Sequence, residues 1–143
     1  MKFWDSSAII PLCLKEPWSE TMTHMIKADE DMVVWWATRV ECRSALARRQ
    51  REGVLSPEAA IKATAILDVL SAEWSEVQPG ERLRQRAERL IMVHPLRTAD
   101  AFQLSAALIW VEESPQGQVI ICLDHHLRAA AQKEGFTVSP EKF

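Results

Sequence analysis

Four acidic residues of this sequence stand where a folded chain could use them for chemistry. Two of them, Asp5 and Asp124, directly follow short apolar runs and precede predicted helices. Ligands of a parallel sheet bind beyond the carboxyl ends of its strands, so these two carboxylates would meet if their strands were neighbours. The alternative interpretation is that each Asp only caps the helix behind it, because Asp is an ordinary N-cap residue.

The third acid, Glu41, lies inside a predicted helix over residues 38–52. It falls between two alanines, away from the side that carries Arg39 and Arg43. A carboxylate directed inward among small side chains costs free energy unless it is paired or bound to a metal ion. A salt bridge to Arg48 or Arg97 is the alternative interpretation of this residue.

The fourth acid, Asp100, belongs to a predicted helix that is apolar on nearly every side, and it shares a face with Leu104, Ala107 and Val111. Its place in the first turn gives it some stabilisation from the helix dipole. That effect explains how the charge is tolerated, but not why an acid occupies a buried face. Stabilisation by the helix dipole alone is the alternative interpretation of Asp100, in place of a role in a functional site.

Together the four acids predict a site for a hard divalent cation, Mg²⁺ or Mn²⁺, because clustered carboxylates repel one another until such a cation binds. Zinc is disfavoured, since Cys and His show no ligand spacing. The four glycines are isolated, so no glycine-rich loop can bind a nucleotide cofactor such as ATP, GTP or NAD. Carboxylate-bound Mg²⁺ is suited to phosphodiester hydrolysis, with Asp5, Glu41, Asp100 and Asp124 as the predicted catalytic and metal-binding residues.

Composition limits the other functions. The 143 residues, 48% of them hydrophobic and 26% charged, predict a single domain over residues 1–143. Three scattered cysteines and the lack of a signal peptide indicate a cytoplasmic protein with free thiols. No apolar run approaches the ~18 residues of a membrane span, so no membrane association is expected. The net charge of −3 gives no overall basic field for nucleic acid.

Short apolar runs alternate with helical patterns along the whole chain, which predicts an α/β fold with a parallel sheet covered on both faces. The predicted strands are residues 2–5, 32–36, 76–77, 119–123 and 137–138. The predicted helices are residues 7–14, 17–28, 38–52, 57–74, 79–94, 98–113 and 126–134.

With these acids and their flanks the sequence resembles PIN-domain ribonucleases. The likeness rests on Asp5-Ser6-Ser7-Ala8, on Glu41 in its helix, and on residues 96–107 and 122–136. The length and Lys15-Glu16-Pro17 are similar to VapC-type toxins of toxin–antitoxin pairs. The resemblance implies a three-layer α/β/α sandwich with a central five-stranded parallel sheet, Mg²⁺- or Mn²⁺-dependent endonucleolytic cleavage of RNA, a homodimer and a cognate antitoxin. His125-His126 departs from the family pattern, and the fourth acid, here Asp124, is the least uniform of the four in the family.

An RNA substrate also needs groups that hold its phosphates. Such phosphate contacts position a strand without reading its sequence. The predicted substrate contacts are Ser6, Arg48, Arg97 and Thr98. The resemblance gives Ser6 a hydroxyl that orients either Asp5 or the substrate phosphate. Arg128 adjoins an acid and is a further basic candidate, whereas the arginines of residues 82–89 are interpreted as a solvated helix face.

Two other functions stay open at this point. One is a non-catalytic PIN-like module that binds RNA or protein, and the other is a DNA-directed PIN-like nuclease. A haloacid-type phosphatase is excluded, because Ser7 stands where the second Asp of its motif is required. Among the six tryptophans, Trp18, Trp35 or Trp36 could stack on a base or anchor a partner.

Overall fold

A five-stranded parallel sheet runs through the middle of the protein, with strand order β3-β2-β1-β4-β5. The computed structural model describes residues 1–143. The strands are β1 Lys2–Trp4, β2 Met32–Trp35, β3 Ser75–Val77, β4 Val119–Ile121 and β5 Thr137–Ser139. Their parallel pairing confirms the sheet that the sequence and its family resemblance predict.

Seven helices connect the strands and cover both faces of the sheet. They are α1 Ser6–Cys13, α2 Ser19–Ala28, α3 Thr38–Arg51, α4 Pro57–Glu73, α5 Glu81–Val93, α6 Thr98–Trp110 and α7 His125–Glu134. Every predicted helix is present, and the predicted α/β/α sandwich is therefore confirmed. No helix combines the length and apolar character needed to cross a membrane.

The sheet separates two hydrophobic cores, and the strands contribute alternate residues to each. Phe3 and Ile120 pack with α5, α6 and α7, whereas Trp4 and Ile121 pack with the four helices α1–α4. Successive side chains of a strand point to opposite faces, so a continuous apolar run fills both cores at once. This explains why β2 and β4 are unbroken apolar runs rather than alternating patterns.

The ends of several elements differ from the sequence prediction for local reasons. Helix α6 ends at Trp110 rather than near residue 113, because Glu112 and Glu113 take positive φ values of 51° and 63°. Strand β4 ends at Ile121, so Asp124 lies three residues beyond the strand instead of directly at its end. Asp124 is thereby carried farther from the sheet than Asp5.

Strand β1 lies at the centre of the sheet, between β2 and β4. The chain proceeds from β1 outward to β2 and β3, then returns to place β4 and β5 on the other side of β1. The order thus reverses next to β1, and crevices at such reversals are the usual ligand sites of open α/β sheets. The end of β1 is where Asp5 stands.

Candidate active site

A groove at the carboxyl edge of the sheet brings all four predicted acids together. It encloses about 570 Å³ and is lined by Asp5, Glu41, Asp100 and Asp124. Its other walls come from α1, from the segment before α2, from α3, from the residues after β4 and from the end of the chain: Ser6, Ser7, Ile10, Pro11, Glu16, Trp18, Ala45, Arg48, Arg49, Leu123 and Phe143. The four acids come from four separate segments of the chain, so only the folded sheet assembles them.

Asp5 is the most deeply placed of the acids, with 4% of its surface exposed. Its Oδ2 accepts hydrogen bonds from the Ser7 backbone N–H at 3.1 Å and from the Ser7 hydroxyl at 2.5 Å. The Cys122 thiol lies 3.7 Å from the same oxygen. Burial raises the pKa of Asp5, the bonds from Ser7 oppose that rise, and the nearby charge of Asp124 adds to it.

The Ser7 hydroxyl links the ends of two neighbouring strands. Besides donating to Asp5 beyond β1, its oxygen accepts the Leu123 backbone N–H at 2.9 Å beyond β4. Orientation of Asp5 is one of the two roles predicted for Ser6, and here the Ser7 hydroxyl performs it. Ser6 lines the groove, so contact with a substrate phosphate stays a prediction for that residue.

Glu41 is held by a buried glutamine rather than by an arginine. The Gln103 side-chain amide donates to Glu41 Oε2 at 2.7 Å and to the Thr38 hydroxyl at 3.0 Å. Burial, together with the nearby charges of Asp5 and Asp100, raises the pKa of Glu41 to about 7. Neither alternative salt bridge, to Arg48 or to Arg97, is present.

Asp100 and Asp124 form the more open side of the acid cluster, and both are half-buried. Burial, and then the charges of Asp124 and Asp5, raise the pKa of Asp100 to about 6, while His126 opposes the rise. Asp124 caps α7 by accepting the Leu127 backbone N–H at 2.9 Å. The capping interpretation is therefore correct for Asp5 and for Asp124, and both residues also line the groove.

The donor set fits a hard divalent cation in chemical type, because the four acids offer only carboxylate oxygens. As the side chains stand, no group of three or more His, Cys, Asp or Glu residues is arranged to hold a metal ion. Asp5 Oδ2, Glu41 Oε2 and Asp124 Oδ1 already accept protein hydrogen bonds. A cation would be held through other carboxylate oxygens, or after these bonds rearrange.

The predicted basic and polar substrate contacts divide into those inside and those outside the groove. Arg48 is exposed and lines it, and its contact with substrate stays a prediction. Arg97 and Thr98 lie at the start of α6, exposed but outside the lining. Arg128 is a structural residue instead of a phosphate contact, because its guanidinium donates to the carbonyls of Cys122 at 2.8 Å and Pro140 at 2.6 Å.

An aromatic cluster forms one wall of the groove. The Phe143 ring lies 5.5 Å from Trp18 and 4.4 Å from His125, measured between ring centroids. The guanidinium carbon of Arg128 lies 4.9 Å from the centroid of the Phe143 ring. Trp18 and Phe143 line the groove, whereas Trp35 is buried against Phe102 and Trp36 is exposed outside it.

Sequence reasoning missed Ser7, Gln103 and Phe143 as components of the site. Gln103 had a detectable signal, because it is a polar residue in an otherwise apolar helix and is only 1% exposed. Ser7 and Phe143 had none, since a serine in a first helical turn and a phenylalanine in a terminal segment are common.

No protein-family model matches the chain, and no curated protein matches its sequence. Solved structures do resemble it. The structure of PAE2754 from Pyrobaculum aerophilum superposes with a TM-score of 0.68 at 18% sequence identity, over 96% of this chain and 87% of that chain.

Two further structures are similar. FitAcB from Neisseria gonorrhoeae superposes with a TM-score of 0.65 at 15% identity, over 96% of each chain. FitAB bound to an IR36 DNA fragment gives a TM-score of 0.62 at 14% identity, over 96% of this chain and 93% of that chain. These likenesses extend over nearly the whole chain, so the protein has the PIN-like α/β/α fold that the sequence predicts.

Proposed function

We propose that this protein is a Mg²⁺- or Mn²⁺-dependent endoribonuclease and the toxin of a toxin–antitoxin pair. One observation carries the proposal: four carboxylates from distant parts of the chain line one groove at the strand-order reversal of a PIN-like sheet. Two of them, Glu41 and Asp100, have pKa values raised to about 7 and about 6. Acids in a cleft whose pKa values are raised by burial and by neighbouring charges are candidates for a functional site.

The charge balance of the groove supports a cation as part of the functional site. Burial and mutual repulsion disfavour the charged forms of Asp5, Glu41 and Asp100, and no salt bridge joins any of the three to a basic side chain. Asp5, Glu41, Asp100 and Asp124 would hold the metal ion. When bound, it would supply an activated water and neutralise the charge of the attacked phosphate.

The remaining lining residues suit a phosphodiester strand. Arg48 projects from α3 on the same side as Glu41 and can hold a phosphate beside the acids. Arg49 is paired with Glu16 at 2.9 Å, so its charge is already partly compensated. Ser6 offers a hydroxyl, and Arg97 and Thr98 can extend the contact along the exposed start of α6.

The partners that the family resemblance implies are also proposals. Exposed apolar side chains on α4 and α5, among them Ile61, Val69, Met92 and Val93, would supply a self-complementary homodimer face and a groove for an antitoxin peptide. The antitoxin would insert an Arg or Lys among the acids, because a cation there relieves their repulsion. A cognate complex in which the acids stay open to solvent would contradict that contact.

Asp100→Asn tests the function, because it keeps the shape of the side chain and removes one charge. The wild-type protein, freed of antitoxin, should cleave single-stranded or loop RNA with Mg²⁺ or Mn²⁺ and stop when a chelator is added. The variant should not cleave RNA. Its melting temperature without metal should be unchanged or higher, and should rise much less when Mg²⁺ is added, since the native state alone binds the ion.

Asp68→Asn is the matched control, because Asp68 is a surface acid of α4 paired with Arg43 outside the groove. It should keep both the cleavage and the metal response. If Asp100 only stabilises the start of α6, its Asn variant should lose ~0.3–1 kcal/mol of stability and stay active. Cleavage that persists in excess chelator would exclude the metal-dependent mechanism, and binding of RNA without any cleavage would favour the non-catalytic module.

A further inference from the structure

We propose that Phe143 and Trp18 form a stacking subsite for a nucleobase of single-stranded RNA, next to the carboxylates. The inference rests on the proposed function and adds a base-binding contact to it, for a base that is unpaired and free to turn into the groove. Aromatic side chains that line the path of a single strand hold bases in this way, because every base has a flat π-face.

The first support is position. Trp18 and Phe143 line the same groove as the four acids, so a strand with its phosphate near Asp5 passes these rings. Trp18 precedes α2, while Phe143 lies beyond β5, and the groove lies between these segments. Another aromatic pair, Trp35 with Phe102, lines a separate pocket that contains none of the four acids of the groove.

The second support is that the Phe143 ring is held in place although the residue stays partly exposed. The Arg128 guanidinium lies over the ring and is itself fixed by the Cys122 and Pro140 carbonyls. Trp18 and His125 pack against the ring at angles of 47° and 42°. Even so, 41% of Phe143 remains exposed. A rigid aromatic surface loses little conformational entropy on binding, which favours a stacking contact.

The third support is charge. Arg48 lines the groove with these rings, so one strand can place a phosphate near the Arg48 guanidinium and a base on the aromatic wall. The rings offer no hydrogen-bond pattern that distinguishes the faces of the four bases. The subsite therefore selects unpaired over paired RNA rather than one base over another, since a base in a duplex is already stacked and cannot reach the wall.

Binding of a labelled oligonucleotide tests the subsite. All proteins carry Asp100→Asn to prevent cleavage, and the probes are a ten-nucleotide oligouridylate and an abasic ribose-phosphate strand of equal length, both in Mg²⁺. Phe143→Leu should weaken oligouridylate binding roughly 5- to 100-fold, the range for loss of one base–aromatic stack. Its affinity for the abasic strand should not change, and Phe143→Trp should retain binding to both.

Trp36→Leu is the control, because Trp36 is 51% exposed but lies outside the groove. It should bind both strands as the parent does. The subsite is refuted if Phe143→Leu binds oligouridylate normally, if it loses the same affinity for the abasic strand, or if the parent does not prefer oligouridylate. Cleavage by the wild-type protein is measured separately. If the protein prefers oligouridylate to the abasic strand but does not cleave RNA, the proposed nuclease activity is refuted and the subsite stands. If it cleaves RNA without this preference, the subsite is refuted and the nuclease activity stands.

Discussion

Asp5 and Asp124 begin from the same local pattern and reach different environments. Each follows a buried strand, and each caps the helix that comes next. Asp5 is 4% exposed and contacts Ser7 and Cys122, whereas Asp124 is half-buried and accepts one backbone hydrogen bond, from Leu127. The central strand β1 places its acid against packed neighbours, while two extra residues after β4 carry the other acid outward.

The difference between the two strand ends indicates a division of roles. A carboxylate fixed by several contacts has its oxygens in place before any ligand arrives, which lowers the free-energy cost of binding. A half-buried carboxylate with one hydrogen bond can turn at little cost. We therefore expect Asp5 to define the position of the cation and Asp124 to adjust to it.

The largest expected effect comes from replacing the two acids in turn. Asp5→Asn should reduce RNA cleavage below detection, while the protein stays folded because Asn is also a good N-cap residue. Asp124→Asn should reduce cleavage on the order of 10- to 100-fold, as for groups that support a metal site rather than define it. Single-turnover cleavage rates measure both. Equal losses in the two variants would remove the proposed division of roles.

The pH dependence of stability should come mainly from the acids of the site whose pKa values are raised. Glu41 and Asp100 rise from ordinary values of 4.5 and 3.8 to pKa values of about 7 and about 6. Between these values the folded protein binds more protons than the unfolded chain, so stability must fall as the pH rises. Without metal, the free energy of unfolding should decrease between about pH 4 and pH 7, measured by denaturant titration with a chelator.

Glu41→Gln should flatten this decrease, because the variant has no proton to lose at that position. Asp68→Asn should leave the slope unchanged, since that side chain is exposed outside the site. Mg²⁺ should restore part of the stability at the upper end of the range, where the carboxylates are charged. A wild-type protein that gains stability from pH 4 to pH 7 would contradict the raised pKa values.

The smallest expected effect is a difference in the free energy of unfolding between variants of Ser6 and Ser7, the two serines that follow Asp5. Ser7→Ala removes the hydroxyl bond to Asp5 and leaves the Leu123 N–H without its acceptor, at a cost of about 1–3 kcal/mol. Ser6→Ala should change the free energy of unfolding by no more than about 0.5 kcal/mol and weaken only RNA binding. Thermal or denaturant unfolding compares them. A Ser6 variant that is the less stable of the two would reverse the assignment.

Much of this fold could be predicted from the sequence, because its local signals agree with one another. The run of residues 119–121 is apolar enough to be buried on both faces, and Ser56-Pro57 marks the start of α4 by capping and by proline preference. The four acids could also be placed in one site, since Asp5 and Asp124 follow parallel strands that end at one edge, and Glu41 and Asp100 are predicted on inward helix faces. These inferences need only periodicity and the direction of the chain.

The contacts around the acids could not be predicted in the same way. Whether Glu41 meets Arg48, Arg97 or Gln103 depends on how α3 and α6 face each other, which no local pattern encodes. Arg128 follows an acid in the sequence, yet its guanidinium turns inward to two carbonyls that become available only where β4 and β5 end. Side-chain partners across elements are set by tertiary packing, so sequence spacing alone cannot assign them.

The pairing of β1 with β4 also has a consequence for the synthesis of the protein. Ser7 and Leu123 are bonded across 116 residues of chain, and Asp5 needs both β4 and Ser7 around it. A ribosome adds ~5–20 residues per second, so several seconds separate the appearance of the first acid from that of the last. A growing chain that has not yet reached β4 has no complete groove, and a product truncated before residue 119 would lack it permanently.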